Sequence, residues 1–344
     1  MNSANGSFVS VLRHILSVMP KQKMLFALWA TYLAVGAVSY WIEFAAEKQT
    51  LSFRSFLNFC FPWSEWKRVS VRVDVAIYII GKLTNPAIHA VVLTCTGALA
   101  YYVGRYLDSF GSPATKAKGG ILNVLVFSVL FLVVWDLAEY VSHLLGHKVP
   151  FLWEFHKVHH SASVLTPLTQ TRHHPIERIL EGTSLAVFVG LTAGFVRHFY
   201  SFSVVELMSM AATASSIGYL LVLQCMQHTQ FCISFGPLER VFISPRMHQL
   251  HHSAKLEHWD KNMANKLSIW DWCFRTGFIP KKGERLQFGT GYADDDAALQ
   301  SVLSCYYLPF IKVYRRCRPS PSGANPVCGG NTTNGNRGGR LSSG

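Results

Sequence analysis

Long uncharged apolar runs, separated by short polar and mostly basic loops, set the pattern of this chain. They cover Met24 to Ile42, Leu83 to Gly104, Gly119 to Trp135, Thr183 to Val196 and Leu207 to Gln227. A helix needs about 20 apolar residues to cross a bilayer core, so the pattern predicts five spans. The fourth is short. It can form a tight hairpin with the next run, extend through its polar start, or lie partly re-entrant. The first run follows Lys21 and Lys23 and lacks a small-residue cleavage site, so it reads as an anchor rather than a removed signal peptide.

Loop charge gives an orientation. Lys48, Arg54, Lys67, Arg68 and Arg72 fall on the side shared with Lys148, Lys157, Arg172, Arg178 and the basic C-terminal third, which the positive-inside rule makes cytoplasmic. The margin is narrow, because the N-terminus and the Arg105 to Lys118 loop are also basic. Five spans nevertheless bring every histidine motif to one face. The expected organisation is an N-terminal segment (1–23), N-terminal membrane helices and loop (24–118), a histidine-bearing membrane domain (119–280), an extension (281–314) and a disordered tail (315–344). The fold class is all-α, a multi-span helical bundle with a cytoplasmic histidine-rich helical cap.

Composition sharpens this reading. With 50% hydrophobic and 15% charged residues, the chain carries more apolar surface than one soluble core would use, and its net charge of +13 then suits an anionic membrane face better than nucleic acid. Eight cysteines lie scattered without a CxxC pair, which leaves neither a disulfide framework nor a thiolate metal site.

The chemistry lies in the histidines. Thirteen of the fifteen fall between His143 and His258, interleaved with apolar residues rather than gathered into a polar tract. His143 and His147 (HLLGH) are four apart; His156, His159 and His160 (HKVHH) follow; His248, His251 and His252 (HQLHH) repeat the second pattern. Residues at i, i+3 and i+4 share a helix face, and adjacent residues diverge by about 100°. Each HxxHH therefore offers imidazoles to two neighbouring ions. His174 and His228 are candidate further ligands, or else hydrogen-bonded core histidines. His173 and His258 read as supporting or surface residues, and His14, His89 and His198 as structural.

Asp136 and Glu139 precede His143 by seven and four residues on the same stripe. Either could accept a ligand imidazole's N–H and fix its tautomer, or serve as a helix charge paired with an arginine. So many histidines exceed the three or four ligands of a structural or hydrolytic zinc site, and two redox ions side by side could share the electrons that dioxygen reduction requires. Iron is the favoured ion, although zinc stands higher in affinity. The membrane boundary would bring an acyl or sterol lipid to it.

HLLGH, FHKVHHS, TRHHP, QH and SPRMHQLHHS, followed by DKNMANKLSIWDWCFRT, resemble the fatty acid hydroxylase and sterol desaturase superfamily over roughly Val71 to Gly277. The resemblance implies a membrane non-haem di-iron enzyme that hydroxylates or desaturates a lipid. It also implies dioxygen as co-substrate and electrons from a reductase and a small carrier protein. It assigns ligand roles to His143, His147, His156, His159, His160, His228, His248, His251 and His252, with His174 in a second tier. Asp260, Asn262, Trp270 and Asp271 match the closing segment, expected to cap helices and tie down the last motif, with Asp260 supporting the centre. Leu144, Ala264 and Arg275 depart from the family pattern, Arg275 standing where glycine is usual. Two other classes compete: a histidine-lined metal transporter, which would carry its ionisable groups near the bilayer midplane, and a membrane scaffold with a decayed site.

Overall fold

The computed structural model describes residues 21–46, 50–113, 115–117, 119–281 and 283–317. Among them the fold is helical, with two isolated β-bridges, Ala117 with Tyr200 and Ser253 with Phe288. The helices are α1 Lys21–Ala46, α2 Phe53–Cys60, α3 Trp63–Trp66, α4 Val69–Ser109, α5 Ile121–Lys148, α6 Pro150–His160, α7 Pro175–Phe199, α8 Val204–Leu221, α9 Pro245–His251, α10 Ile269–Cys273, α11 Ala293–Ala298 and α12 Val302–Cys317.

Four of these, α4, α5, α7 and α8, are long and apolar enough to cross a membrane. The first expected span lies within α1, where the side chains of residues 21–28 fall outside the described residues. The short fourth run takes the second of its three options. It is the middle of α7, whose 25 residues begin with Pro175 at the first helical turn, and at 1.5 Å per residue they extend about 37 Å, enough to span.

Small side chains let α7 pack closely on α4. A Cβ on Gly194 would lie 2.6 Å from Val103 and 3.0 Å from the Ala100 carbonyl, and one on Gly190 would lie 3.1 Å from Leu99. Approach of this kind is how helices associate where water supplies no hydrophobic drive. Ala100, Phe131, Val189, Ala193, Leu207 and Ala211 form the shared core of the four helices.

One end of the bundle gathers the start of α4, the end of α5, the start of α7 and the end of α8. There Arg172, fully buried, donates to Asp74 (2.9 Å) on α4, to the Val158 carbonyl (2.9 Å) and to the Leu299 carbonyl (2.8 Å). Arg172 is thus an internal pin rather than the loop charge expected of it. The other end is tied by Asp108, which accepts from Lys116 and meets His198 at 2.8 Å.

Two boundaries differ from expectation. The last span ends at Leu221, not Gln227, because Leu223 adopts a left-handed conformation (φ 50°) and the chain folds back through a 3-10 turn, Gln224–Met226. At the C-terminus, Arg315, Arg316 and Cys317 complete α12 instead of opening a tail. The rest of that expected tail, 318–344, and the N-terminal segment to residue 20 lie outside the described residues.

Candidate metal centre

Local sequence explains how each histidine is held. His143 and His147 occupy the last turns of α5; His156, His159 and His160 end α6; His248 and His251 lie on α9, with His252 as its C-cap. Helices α6 and α9 both open on proline at the first turn, where a missing N–H costs nothing. The fold-back at Leu223 carries His228 onto the same spot.

Nine imidazoles converge there in two groups: His143, His147, His156, His160 and His251 in one, and His159, His228, His248 and His252 in the other. Chain neighbours part company, since His159 and His160 serve different groups and so do His251 and His252. In the first group the Nε2 atoms of His147 and His160 lie 3.0 and 3.1 Å from that of His156. In the second, the Nε2 atom of His228 lies 3.0 Å from that of His252, 3.1 Å from that of His248 and 3.2 Å from that of His159.

These contacts test the site for a metal. Metal–imidazole bonds run about 2.0–2.1 Å, so two ligands at right angles on one ion have nitrogens about 3.0 Å apart. In addition, His143 Nε2 and His251 Nε2 are buried without a hydrogen-bond partner, an expensive condition for groups lacking an ion to bind. Outside the membrane helices, burial and the neighbouring imidazoles hold His159, His160, His248, His251 and His252 well below the ordinary histidine range and His228 down to about 3. They are neutral at physiological pH, as metal ligands must be. The donor set fits one or two borderline cations.

The opposite ring nitrogens of four members of the first group face oxygens. His143 Nδ1 lies 2.7 Å from the Met263 carbonyl, His251 Nδ1 2.7 Å from the Lys261 carbonyl, and His156 Nδ1 2.6 Å from Glu177. His147 Nδ1 faces Asp260 at 3.3 Å. Such partners set the tautomer and turn Nε2 toward the ion. Glu177 was not anticipated from the sequence. It also meets His173 Nδ1 at 2.8 Å, and the His173 ring stacks on that of His159 at 4.4 Å.

Three expected roles differ. His174, a candidate tenth ligand, stands apart from both groups: its Nδ1 caps α7 by accepting from the Ile176 N–H, and its Nε2 lies 3.1 Å from the Tyr306 carbonyl. Asp136 accepts from no imidazole; it takes the backbone N–H of Lys266 and Leu267 and the indole N–H of Trp270. Glu139 bonds Trp135 and Lys266. Both carboxylates steady the 263–270 segment, whose Met263 carbonyl in turn holds His143. Asn262 and Asp271 brace the same segment, Asn262 donating to the Met247 carbonyl of α9 and Asp271 accepting from the N–H groups of Met263 and Ala264.

A cavity of about 660 Å³ opens beside the histidines among α4, α5, α7 and α8. His143, His156, His159, His228 and His248 form part of its wall, and much of the rest is apolar, including Val92, Leu180, Leu185 and Leu220. His89, read from sequence as structural, also lines it.

Residues 128–276 match the family described as fatty acid hydroxylase. Ornithine lipid hydroxylase OlsE of Rhizobium tropici is 28% identical over 172 residues, which are 47% of this chain and 44% of that protein. Alkylglycerol monooxygenases of Danio rerio and Homo sapiens are each 27% identical, over 51% and 45% of this chain and 35% and 31% of their own lengths. The chain spans less than half the length of these curated relatives. No solved structure matches it.

Proposed function

We propose that this chain, whose residues 128–276 match the fatty acid hydroxylase family, is an integral membrane di-iron monooxygenase acting on a lipid. The observation that carries the proposal is the convergence of nine imidazoles into two interleaved groups on the wall of a largely apolar cavity. His143, His147, His156, His160 and His251 would hold one iron, and His159, His228, His248 and His252 the other. The iron pair would supply dioxygen reduction and C–H oxidation, with electrons from a reductase and a small carrier protein meeting the histidine face on the cytoplasmic side.

The chain's own residues do the positioning. Val92, Leu180, Leu185 and Leu220 take up an apolar chain, each Å² removed from water contributing about 25 cal/mol. Glu177, Asp260 and the Met263 and Lys261 carbonyls keep four imidazoles turned inward. Burial keeps bulk water from the reacting carbon. Hydroxylation is favoured over desaturation because the relatives' names are those of a hydroxylase and of monooxygenases.

The test is lipid analysis of membranes holding the intact protein, its reductant and isotopically heavy dioxygen. The expected product has gained one heavy oxygen atom, and His159→Ala abolishes it while membrane insertion persists. Loss of two hydrogens without oxygen gain would make the enzyme a desaturase, and undiminished turnover in His159→Ala would overturn the assignment.

A further inference from the structure

Helix α12 carries two faces. Its inner side, Val302, Cys305 and Tyr306, shares a core with Val73 and Ile77 of α4 and Val158 of α6. Its outer side presents Leu303, Tyr307 and Phe310, at i, i+4 and i+7, with exposures of 72%, 45% and 51%. Residues so spaced form one stripe of a helix, and a contiguous exposed stripe of large apolar groups marks a surface with a partner.

The level of α12 in the molecule identifies that partner. Ile77 precedes the start of the apolar run at Leu83 by six residues, a rise of about 9 Å. The headgroup layer is about 5–8 Å deep on each side of the hydrocarbon, and a helix with its side chains has a radius of about 5–6 Å. A helix packed on Ile77 therefore reaches that layer. Between them lies a pair typical of the interface, the Lys82 ammonium 5.0 Å over the Tyr78 ring. The exposed aliphatics of α4, Val75, Ile79 and Leu83, continue from this level into the span. Two basic groups of α12 are paired within the protein: Lys312 with Asp295, and Arg316 with Glu154 of α6 at 2.8 Å.

We propose that α12 lies flat in the headgroup layer of the bilayer, with Leu303, Tyr307 and Phe310 sunk toward the acyl chains, as an interfacial helix that fixes the mouth of the cavity at membrane level. Phe310 packs on Phe155 at 5.1 Å and on His174 at 5.3 Å, and Phe155 lines the cavity. The helix thus joins the bilayer surface to the wall beside His156. This explains why His174 is spent on bonding the Tyr306 carbonyl rather than on a metal.

The experiment places an environment-sensitive fluorescent amino acid at Leu303 or at Phe310 of the full chain in lipid nanodiscs. Each is challenged with iodide in the water and with nitroxide-labelled lipids. The expected result at both positions is strong quenching by lipids labelled near the headgroup and iodide quenching well below that of the free fluorophore. Strong iodide quenching with none from lipid would overturn the proposal by showing a wet face. Quenching by neither would also overturn it, by showing that another protein, a soluble carrier or a second copy, covers the stripe. The readout requires no metal and no turnover.

Discussion

One carboxylate oxygen of Glu177 serves two rings, lying 2.6 Å from Nδ1 of His156 and 2.8 Å from Nδ1 of His173. His156 belongs to the first histidine group, while His173 stacks on a member of the second. Glu177→Gln keeps the size but loses the charge that draws the His156 N–H and faces the His173 ring. Partners of this type are worth about 10–100-fold in metal affinity. The expected outcome is a fall of that order in metal retained after competition with a chelator, at an unchanged helical circular dichroism signal.

Asp136 gives the opposite signature. It satisfies three buried donors, two backbone and one indole, and leaving such donors without their buried carboxylate costs about 3–5 kcal/mol. Asp136→Ala should lower the thermal midpoint in detergent by many degrees, with metal content per folded molecule preserved. Metal loss without a change in midpoint would restore Asp136 to direct contact with a ligand.

The buried histidines make the metal-free protein acid-sensitive. His159, His160, His228, His248, His251 and His252 stay neutral when folded but protonate near pH 6.5 when unfolded. The unfolded chain then binds more protons below that pH, so stability is full above about 6.5 and falls as pH drops, by up to about 1.4 kcal/mol per unit for each such ring. Asp271 opposes this, because burial raises it to about 6 and its contribution weakens as pH rises toward that value. Burial also raises Asp296, which acts in the same sense, but six rings outweigh two carboxylates. Thermal midpoints of metal-stripped protein should fall steadily from about pH 6.5 to 5.

Arg275 stands where glycine is usual in the resembling family, and its φ is 63°. A side chain in the left-handed region costs roughly 1–2 kcal/mol, part of which glycine returns through its freer unfolded state. Arg275→Gly should therefore raise stability by about 0.5–1 kcal/mol, read as a small upward shift in thermal midpoint with no change in metal content.

What the sequence disclosed was whatever depends on near neighbours. The two HxxHH patterns announce paired ligands because three residues of one helical turn carry the information, and the apolar runs announce spans for the same reason. His174 was read as a candidate ligand although a signal for its cap role was present: it immediately precedes Pro175, and proline favours the first turn of a helix. Glu177 was hidden because its partner His156 lies 21 residues away and its own position reads as an ordinary first-turn acid. Asp136 misled for a related reason. Helical spacing put it on the histidine stripe, but the segment that covers that face comes from 130 residues downstream. His228 could be suspected from its motif, yet only the left-handed turn at Leu223 delivers it, and nothing in a leucine foretells that conformation.

The handing of adjacent histidines to opposite groups has a further result. His159 with His160, and His251 with His252, are rigidly coupled through a single peptide link, so no tilt or fraying of α6 or α9 can loosen one ion's seat while sparing the other. The two proposed seats would therefore be filled and emptied together as one unit.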